Sequence, residues 1–106
     1  MPKYLITASY TSEGVKGLRK EGGTKRRKAA EAAIKSVGGQ VEAFYFAFGD
    51  HDAILIVDAP DNAAVASASL AINASGAVQT RTTVLLTPEE IDQATKRTAK
   101  YQPPGR

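Results

Sequence analysis

The 106-residue chain contains no cysteine and no tryptophan, and it has a single histidine and a single methionine. Without cysteine it cannot form disulfides, zinc–thiolate sites or a thiol nucleophile. No apolar run approaches the roughly 20 residues that span a bilayer, and Met1 to Tyr10 lack the basic-then-apolar layout of a signal peptide. We therefore expect a cytoplasmic protein without membrane contact. The length supports a single small domain, which we place at residues 1–95, followed by a polar tail at 96–106.

Positive charge is concentrated in one segment. The net charge is +3, yet seven of the fourteen basic residues lie between Lys16 and Lys28. Lys25 to Lys28 would occupy the first turn of a helix, where they oppose the helix macrodipole. Three explanations for this unfavourable placement are open: an anion bound at Gly22-Gly23, a nucleic-acid partner, or a helix face exposed to solvent. We favour the solvated face, because the glycine pair lacks the phosphate-loop pattern and the strands lack an RNA-binding aromatic signature. Only weak, salt-sensitive nucleic-acid binding is expected.

The stretch from Val41 to Ala59 predicts a β-hairpin. Aromatic and β-branched residues fill a strand from Val41 to Phe48 and a second strand from Ala53 to Val57. Gly49 to Asp52 connect them with residue types that favour turns. The second strand is apolar at every position, which requires cover on both faces of the sheet.

The remaining elements follow from alternation, helical spacing and capping signals. The first strand is expected at Lys3–Thr11 and the last at Ala77–Leu86. Three helices are expected before the last strand: one from an N-cap at Ser12 to Gly22-Gly23, one from a cap at Thr24 to Gly38-Gly39, and one from Pro60-Asp61 to Ser75-Gly76. A C-terminal helix begins with Thr87 as N-cap, Pro88 and a capping-box Glu90. The second helix has an alanine-rich inner stripe, so we expect it to lie flat on the sheet without enclosing a large void.

This order predicts an α+β, ferredoxin-like βαββαβ fold with a four-stranded antiparallel sheet, helices on one face and an added C-terminal helix. We expect the first and third strands to be central and to run parallel. The helices leave the other face of the sheet bare and apolar, which predicts a homodimer in which two sheets pack face to face as a dimeric α+β barrel.

The hairpin, from Phe44 through Asp52 into Ile54–Asp61, resembles the GYD-domain family. The similarity continues through Ala74–Val78 and Thr82–Glu90, and upstream through Tyr10–Gly14. By this resemblance Gly49 and Asp52 match the Gly and Asp of the family motif, while His51 stands where the family usually has Tyr. The resemblance implies the dimeric α+β barrel architecture, which is shared by cofactor-independent enzymes and by binding proteins.

His51, between Asp50 and Asp52, is the candidate catalytic residue, with Asp52 beside it. A carboxylate next to an imidazole can fix its tautomer for general acid–base chemistry. The alternative is an ordinary turn, which we favour because no second histidine or nucleophile lies nearby in the sequence. A metal site is not expected, because these neighbouring residues lack further ligands.

Tyr4, Tyr10, Tyr45 and Arg81 are the candidate ligand-binding residues. A buried tyrosine hydroxyl needs a polar partner, and Thr7, Arg81 and His51 are the possible partners. Arg81 would pair with Glu42 or Asp58 across strands, or would hold a ligand carboxylate. The phenylalanines Phe44, Phe46 and Phe48 are expected in the core and the dimer interface.

These observations favour a homodimer that binds a small apolar or aromatic molecule between sheet and helices, without a prosthetic group. The alternative is a cofactor-independent enzyme, an isomerase or monooxygenase in which His51 is the base.

Overall fold

The structure is a computed structural model that describes residues 1–106. The chain forms four strands and four helices in the order β1 Lys3–Tyr10, α1 Ser12–Glu21, α2 Gly23–Ser36, β2 Gln40–Phe46, β3 Ala53–Asp58, α3 Asn62–Ala74, β4 Val78–Leu85 and α4 Pro88–Thr95. The predicted α+β, ferredoxin-like order is therefore confirmed. No helix is both long enough and apolar enough to cross a bilayer.

The sheet has the strand order β2-β3-β1-β4, and every neighbouring pair is antiparallel. β1 and β3 are central as predicted, but the prediction that they run parallel is wrong. The helical crossover that follows β1 brings the chain back so that β2 runs in the same direction as β1. The hairpin then reverses the chain, so β3 runs against β1.

One face of the sheet is covered by helices. On the central strands Tyr4 pairs with Val57 and Ile6 with Leu55, and these side chains are buried in one core with residues of α2 and α3 such as Ile34 and Val65. The other face, which we call the open face, carries the alternate residues of each strand. It includes Leu5, Thr7, Ser9, Tyr45, Ile54, Ile56, Gln79, Arg81 and Thr83.

β2 contains a bulge between Val41 and Ala43. Because a bulge adds one residue to one strand, the alternation reverses there, and Val41 lies on the helix-covered face with Phe44. Uninterrupted alternation along the predicted strand would place Val41 on the opposite face from Phe44, and the sequence carries no bulge signal at this point. The strand also ends at Phe46, so Phe48, predicted as its last residue, lies in the following bend and is fully exposed.

The first two helices are capped differently from the prediction. Thr11, rather than Ser12, is the N-cap of α1, and its Oγ1 accepts a hydrogen bond from the N–H of Gly14. α2 begins directly after Gly22, whose φ of +86° suits glycine, and no side chain caps it. The predicted cap at Thr24 is therefore wrong, because the glycine turn places Thr24 inside the helix.

α4 begins with the predicted capping box, in which Thr87 and Glu90 each accept a hydrogen bond from the other's backbone N–H. Every residue of α4 is exposed. The chain measures 56 × 33 × 23 Å with a radius of gyration of 16.8 Å, whereas a compact domain of this length has about 13 Å. α4 and the residues after it therefore project from the domain.

Burial is concentrated in the first three quarters of the chain. Only 13 of the 106 residues are buried, and none of these lies in β2 or beyond Val78. The core therefore consists of the central strands and the inner faces of the helices, while the edge strands retain accessible surface.

Candidate functional site

An apolar cavity of about 80 Å³ lies between the sheet and the helices α2 and α3. Ile6 and Leu55 of the central strands line one side, and Ala30, Ala33 and Ile72 of the helices line the other. The short alanine side chains leave part of the space between helix and sheet unfilled. For comparison, an engineered apolar cavity that binds benzene measures about 150 Å³. The volume here therefore suits a short branched alkyl group, and it agrees with the predicted absence of a large void.

Arg26 and Thr80 are the polar residues that reach this cavity. Arg26 is half-buried, and its Nη1 lies 3.8 Å from Oε1 of Glu21. That separation is too long for a hydrogen bond, so the guanidinium donors can serve another acceptor. A guanidinium beside an apolar cavity can bind the carboxylate of a ligand whose alkyl group occupies the cavity.

Tyr4 is buried against α3. Its side chain is 1% exposed, and its hydroxyl donates to Oδ1 of Asn62 over 2.6 Å. The partners expected for a buried tyrosine were Thr7, Arg81 and His51. For Tyr4 this expectation is wrong, because Tyr4 points toward the helices whereas Thr7 and Arg81 lie on the open face.

The three candidate tyrosines do not converge on one site. Tyr10 is half-buried and lines the apolar cavity. Tyr45 lies on the open face with 70% of its surface exposed. The structure thus places Tyr10 at the cavity, Tyr4 in the core beside Asn62, and Tyr45 on the opposite side of the sheet.

Asp52 ties the hairpin connection to the end of β1. Its Oδ2 accepts a hydrogen bond of 2.8 Å from the N–H of Tyr10. Its own backbone N–H donates to the carbonyl of Ala8 over 2.8 Å, and its carbonyl accepts from the N–H of Ala47 over 2.9 Å. These bonds give the aspartate a structural use, while a catalytic use stays a prediction.

His51 lines a second pocket of about 350 Å³, which we call the polar pocket. No hydrophobic residue lines it. Thr7 and Ser9 of β1 contribute to it, and so do Arg81 and Gln79, their cross-strand partners on β4. The structure therefore brings two predicted site residues, His51 and Arg81, to the same pocket. Neither of them lines the apolar cavity, although Thr80 lines both.

Glu42 and Asp58 pair with Lys3 and not with Arg81, which corrects the predicted ion pairs. Nζ of Lys3 lies 2.8 Å from Oδ1 of Asp58 and 3.1 Å from Oε2 of Glu42. Asp58 is the register partner of Lys3, whereas Arg81 lies on β4, beyond β1. The hydrogen bond from Lys3 lowers the pKa of Asp58. The hydrogen bonds to Asp58 and then Glu42 raise the pKa of Lys3.

The fold defines the chain as a ferredoxin-like α+β domain with an open sheet face. The sequence profile of the GYD domain matches residues 4–95. The chain belongs to the GYD-domain family, and the resemblance seen in the hairpin is confirmed.

Two crystal structures of Mycobacterium tuberculosis proteins have a similar fold. One is AldR, with 24% identity, a TM-score of 0.55, and coverage of 81% of this chain and 52% of that chain. The other is the leucine response regulatory protein LrpA, with 16% identity, a TM-score of 0.51, and coverage of 81% and 51%. The chain thus spans about half the length of these structures, and the likeness shows the fold alone. A sequence search against curated proteins finds no match.

Proposed function

We propose that this GYD-domain protein is a homodimer that binds a small, partly apolar carboxylate between its sheet and its helices, without a prosthetic group. The observation that carries the proposal is the apolar cavity with the Arg26 guanidinium at its edge. An alkyl group in the cavity removes apolar surface from water, and the carboxylate pairs with Arg26. The similar fold of a protein named for its response to leucine agrees with a small-molecule role.

The charge of the cavity wall distinguishes between ligands. Arg26 is the only charged residue that lines the cavity, so the ammonium group of an amino acid would be desolvated there without a partner. Isovalerate, which has the branched chain of leucine without the ammonium group, should therefore bind better than leucine. Benzoate should also bind less well, because its ring exceeds the cavity.

Calorimetric titration with isovalerate, leucine and benzoate tests this ligand class. We expect the highest affinity for isovalerate, and a loss of that affinity in Arg26→Gln. A matched control is Arg19→Gln, which removes the same charge from an exposed position on α1. If no compound binds, or if Arg26→Gln and Arg19→Gln bind isovalerate equally well, the ligand proposal is wrong.

Dimerisation through the open face is the second part of the proposal. Leu5, Ile54 and Ile56 remain only half-buried at the centre of that face, and Tyr45 beside them is 70% exposed. An apolar centre without charge is complementary to itself, as a two-fold interface requires. The projecting α4 would be free to contact the second copy.

Analytical ultracentrifugation at micromolar concentration tests the assembly. The wild type should sediment as a dimer, and Ile56→Arg should be monomeric because the charge would be buried at the interface. Leu70→Arg places the same side chain at an apolar residue of α3 that is 72% exposed, and this variant should remain dimeric. A monomeric wild type would contradict the dimer without affecting the ligand proposal.

The geometry supports a binding protein better than an enzyme acting through His51. His51 lines the polar pocket, whereas the titratable residues that line the apolar cavity are Tyr10 and Arg26. A molecule held in the cavity is therefore not beside the candidate base. The basic segment is also partly matched by acidic residues, since Nε of Arg27 lies 3.8 Å from Oε1 of Glu31, which favours the solvated face over nucleic acid.

A further inference from the structure

The polar pocket is built from two cross-strand pairs on one face of the sheet. Thr7 is opposite Arg81, and Ser9 is opposite Gln79, in the antiparallel ladder between β1 and β4. Cross-strand neighbours have Cβ atoms about 4.5–5.5 Å apart, so the four side chains surround a small area. His51, from the connection between β2 and β3, lines the same pocket.

The chemistry of this pocket is rich in hydrogen-bond donors and contains no carboxylate. A guanidinium, an imidazole, two hydroxyls and a carboxamide line it, and each can donate a hydrogen bond. None of these five side chains forms a hydrogen bond or an ion pair within the chain. The acidic residues of the same face, Glu42 and Asp58, are engaged by Lys3. Arg81 therefore lacks a counter-charge.

The remaining lining residues close the outer edge of the pocket. Nδ2 of Asn73 donates to Oγ1 of Thr80 over 2.9 Å, and Oδ1 of Asn73 accepts from the N–H of Thr80 over 2.9 Å. These bonds fasten the end of α3 to β4, so the wall at this edge is fixed while the donors of the sheet face remain available.

We infer that the polar pocket is a binding site for a small oxyanion, either a carboxylate or a phosphate group. Arg81 would bind two of its oxygens in a bidentate arrangement, Thr7 and Ser9 would donate from β1, and His51 would donate from the hairpin connection. The volume of about 350 Å³ falls within the usual range of about 300–1,000 Å³ for small-molecule sites. The site lies at the β4 edge of the open face, and Thr80 lines both this pocket and the apolar cavity. The five donor side chains line the polar pocket and do not line the apolar cavity.

NMR titrations with sodium phosphate and with sodium acetate, at constant ionic strength, test the inference and distinguish the two chemistries. Saturable chemical-shift changes are expected at the Arg81 side chain, the His51 ring and the Thr7 amide. The anion that binds with the higher affinity identifies the ligand class. Arg81→Gln should weaken binding about tenfold or more, as loss of a charged hydrogen-bond donor does. Arg19→Gln, with the same charge change on α1, should alter affinity less than about twofold.

Gln79→Glu provides a second variant at an exposed position of the edge strand. It places a carboxylate in the pocket and should abolish binding of both anions through like-charge repulsion. The inference is overturned if neither anion gives saturable shifts by about 50 mM. It is equally overturned if Arg81→Gln or Gln79→Glu binds the anions as tightly as the wild type does.

Discussion

Filling the apolar cavity should stabilise the protein and abolish ligand binding at the same time. Ala33 lines the cavity from α2, and Ala33→Leu adds three carbon atoms toward it. Cavity space costs about 24 cal/mol per Å³, so the 80 Å³ cavity corresponds to about 2 kcal/mol. Burial of apolar carbon at about 0.8 kcal/mol per methylene gives a similar value. Because imperfect fit offsets part of this gain, we expect about 1–2 kcal/mol of added stability.

Urea unfolding of Ala33→Leu and of Ala32→Leu provides the comparison. Ala32 is the adjacent residue of α2, is exposed and does not line the cavity, so the same substitution there should change stability by less than about 0.5 kcal/mol. Only Ala33→Leu should lose the calorimetric response to isovalerate. If Ala33→Leu destabilises the protein by more than about 1 kcal/mol, or if it still binds isovalerate, the cavity does not exist as described.

Three further predictions concern the contacts that shape the domain. Gly14→Ala should cost about 1–3 kcal/mol in thermal unfolding, because a Cβ there would overlap the carbonyl of Ala77; an unchanged melting temperature would refute this close packing. Asp52→Ala should lower the free energy of unfolding by about 1.5–3 kcal/mol, because it removes the hydrogen bond to the end of β1. An unchanged free energy of unfolding would contradict this structural role. Asp58 has a lowered pKa owing to Lys3, so its contribution is present above the unfolded-state pKa and is lost as pH falls through the folded one. The stability difference between wild type and Asp58→Asn should therefore shrink below about pH 4, and a constant difference would contradict the assignment.

Local signals in the sequence were sufficient for most of the fold. Alternation located β1 and β4, aromatic and β-branched residues located β2 and β3, and the Thr87 to Glu90 capping box located the start of α4 to the residue. The bulge after Val41 was missed because no glycine or charge pattern marks it, and its position depends on pairing with β3. The N-cap of α1 was misplaced by one residue because Thr11 and Ser12 can both cap, and the start of α2 was misplaced because the glycine turn at Gly22 begins the helix without a side-chain cap.

The candidate site could be predicted from the sequence less completely than the fold. His51 and Arg81 were each singled out, but their meeting in one pocket depends on the register of β1 against β4, which no local pattern specifies. The position of Arg26 at the apolar cavity was not predicted, because a place among four consecutive basic residues is typical of a solvated surface. The alanine stripe of α2 predicted close packing on the sheet, yet the size of the remaining gap depends on the exact helix position.

Methyl NMR on protein with labelled isoleucines tests the central claim most directly, since five of the six isoleucines are divided between the two sides of the sheet and the sixth, Ile91, lies on α4. Ile6, Ile34 and Ile72 line the apolar cavity, whereas Ile54 and Ile56 occupy the open face. On titration with isovalerate, we expect saturable shifts at the first three methyl groups and unchanged positions at the other two. Shifts confined to Ile54 and Ile56, or no saturable shift at any isoleucine, would contradict a ligand site between sheet and helices.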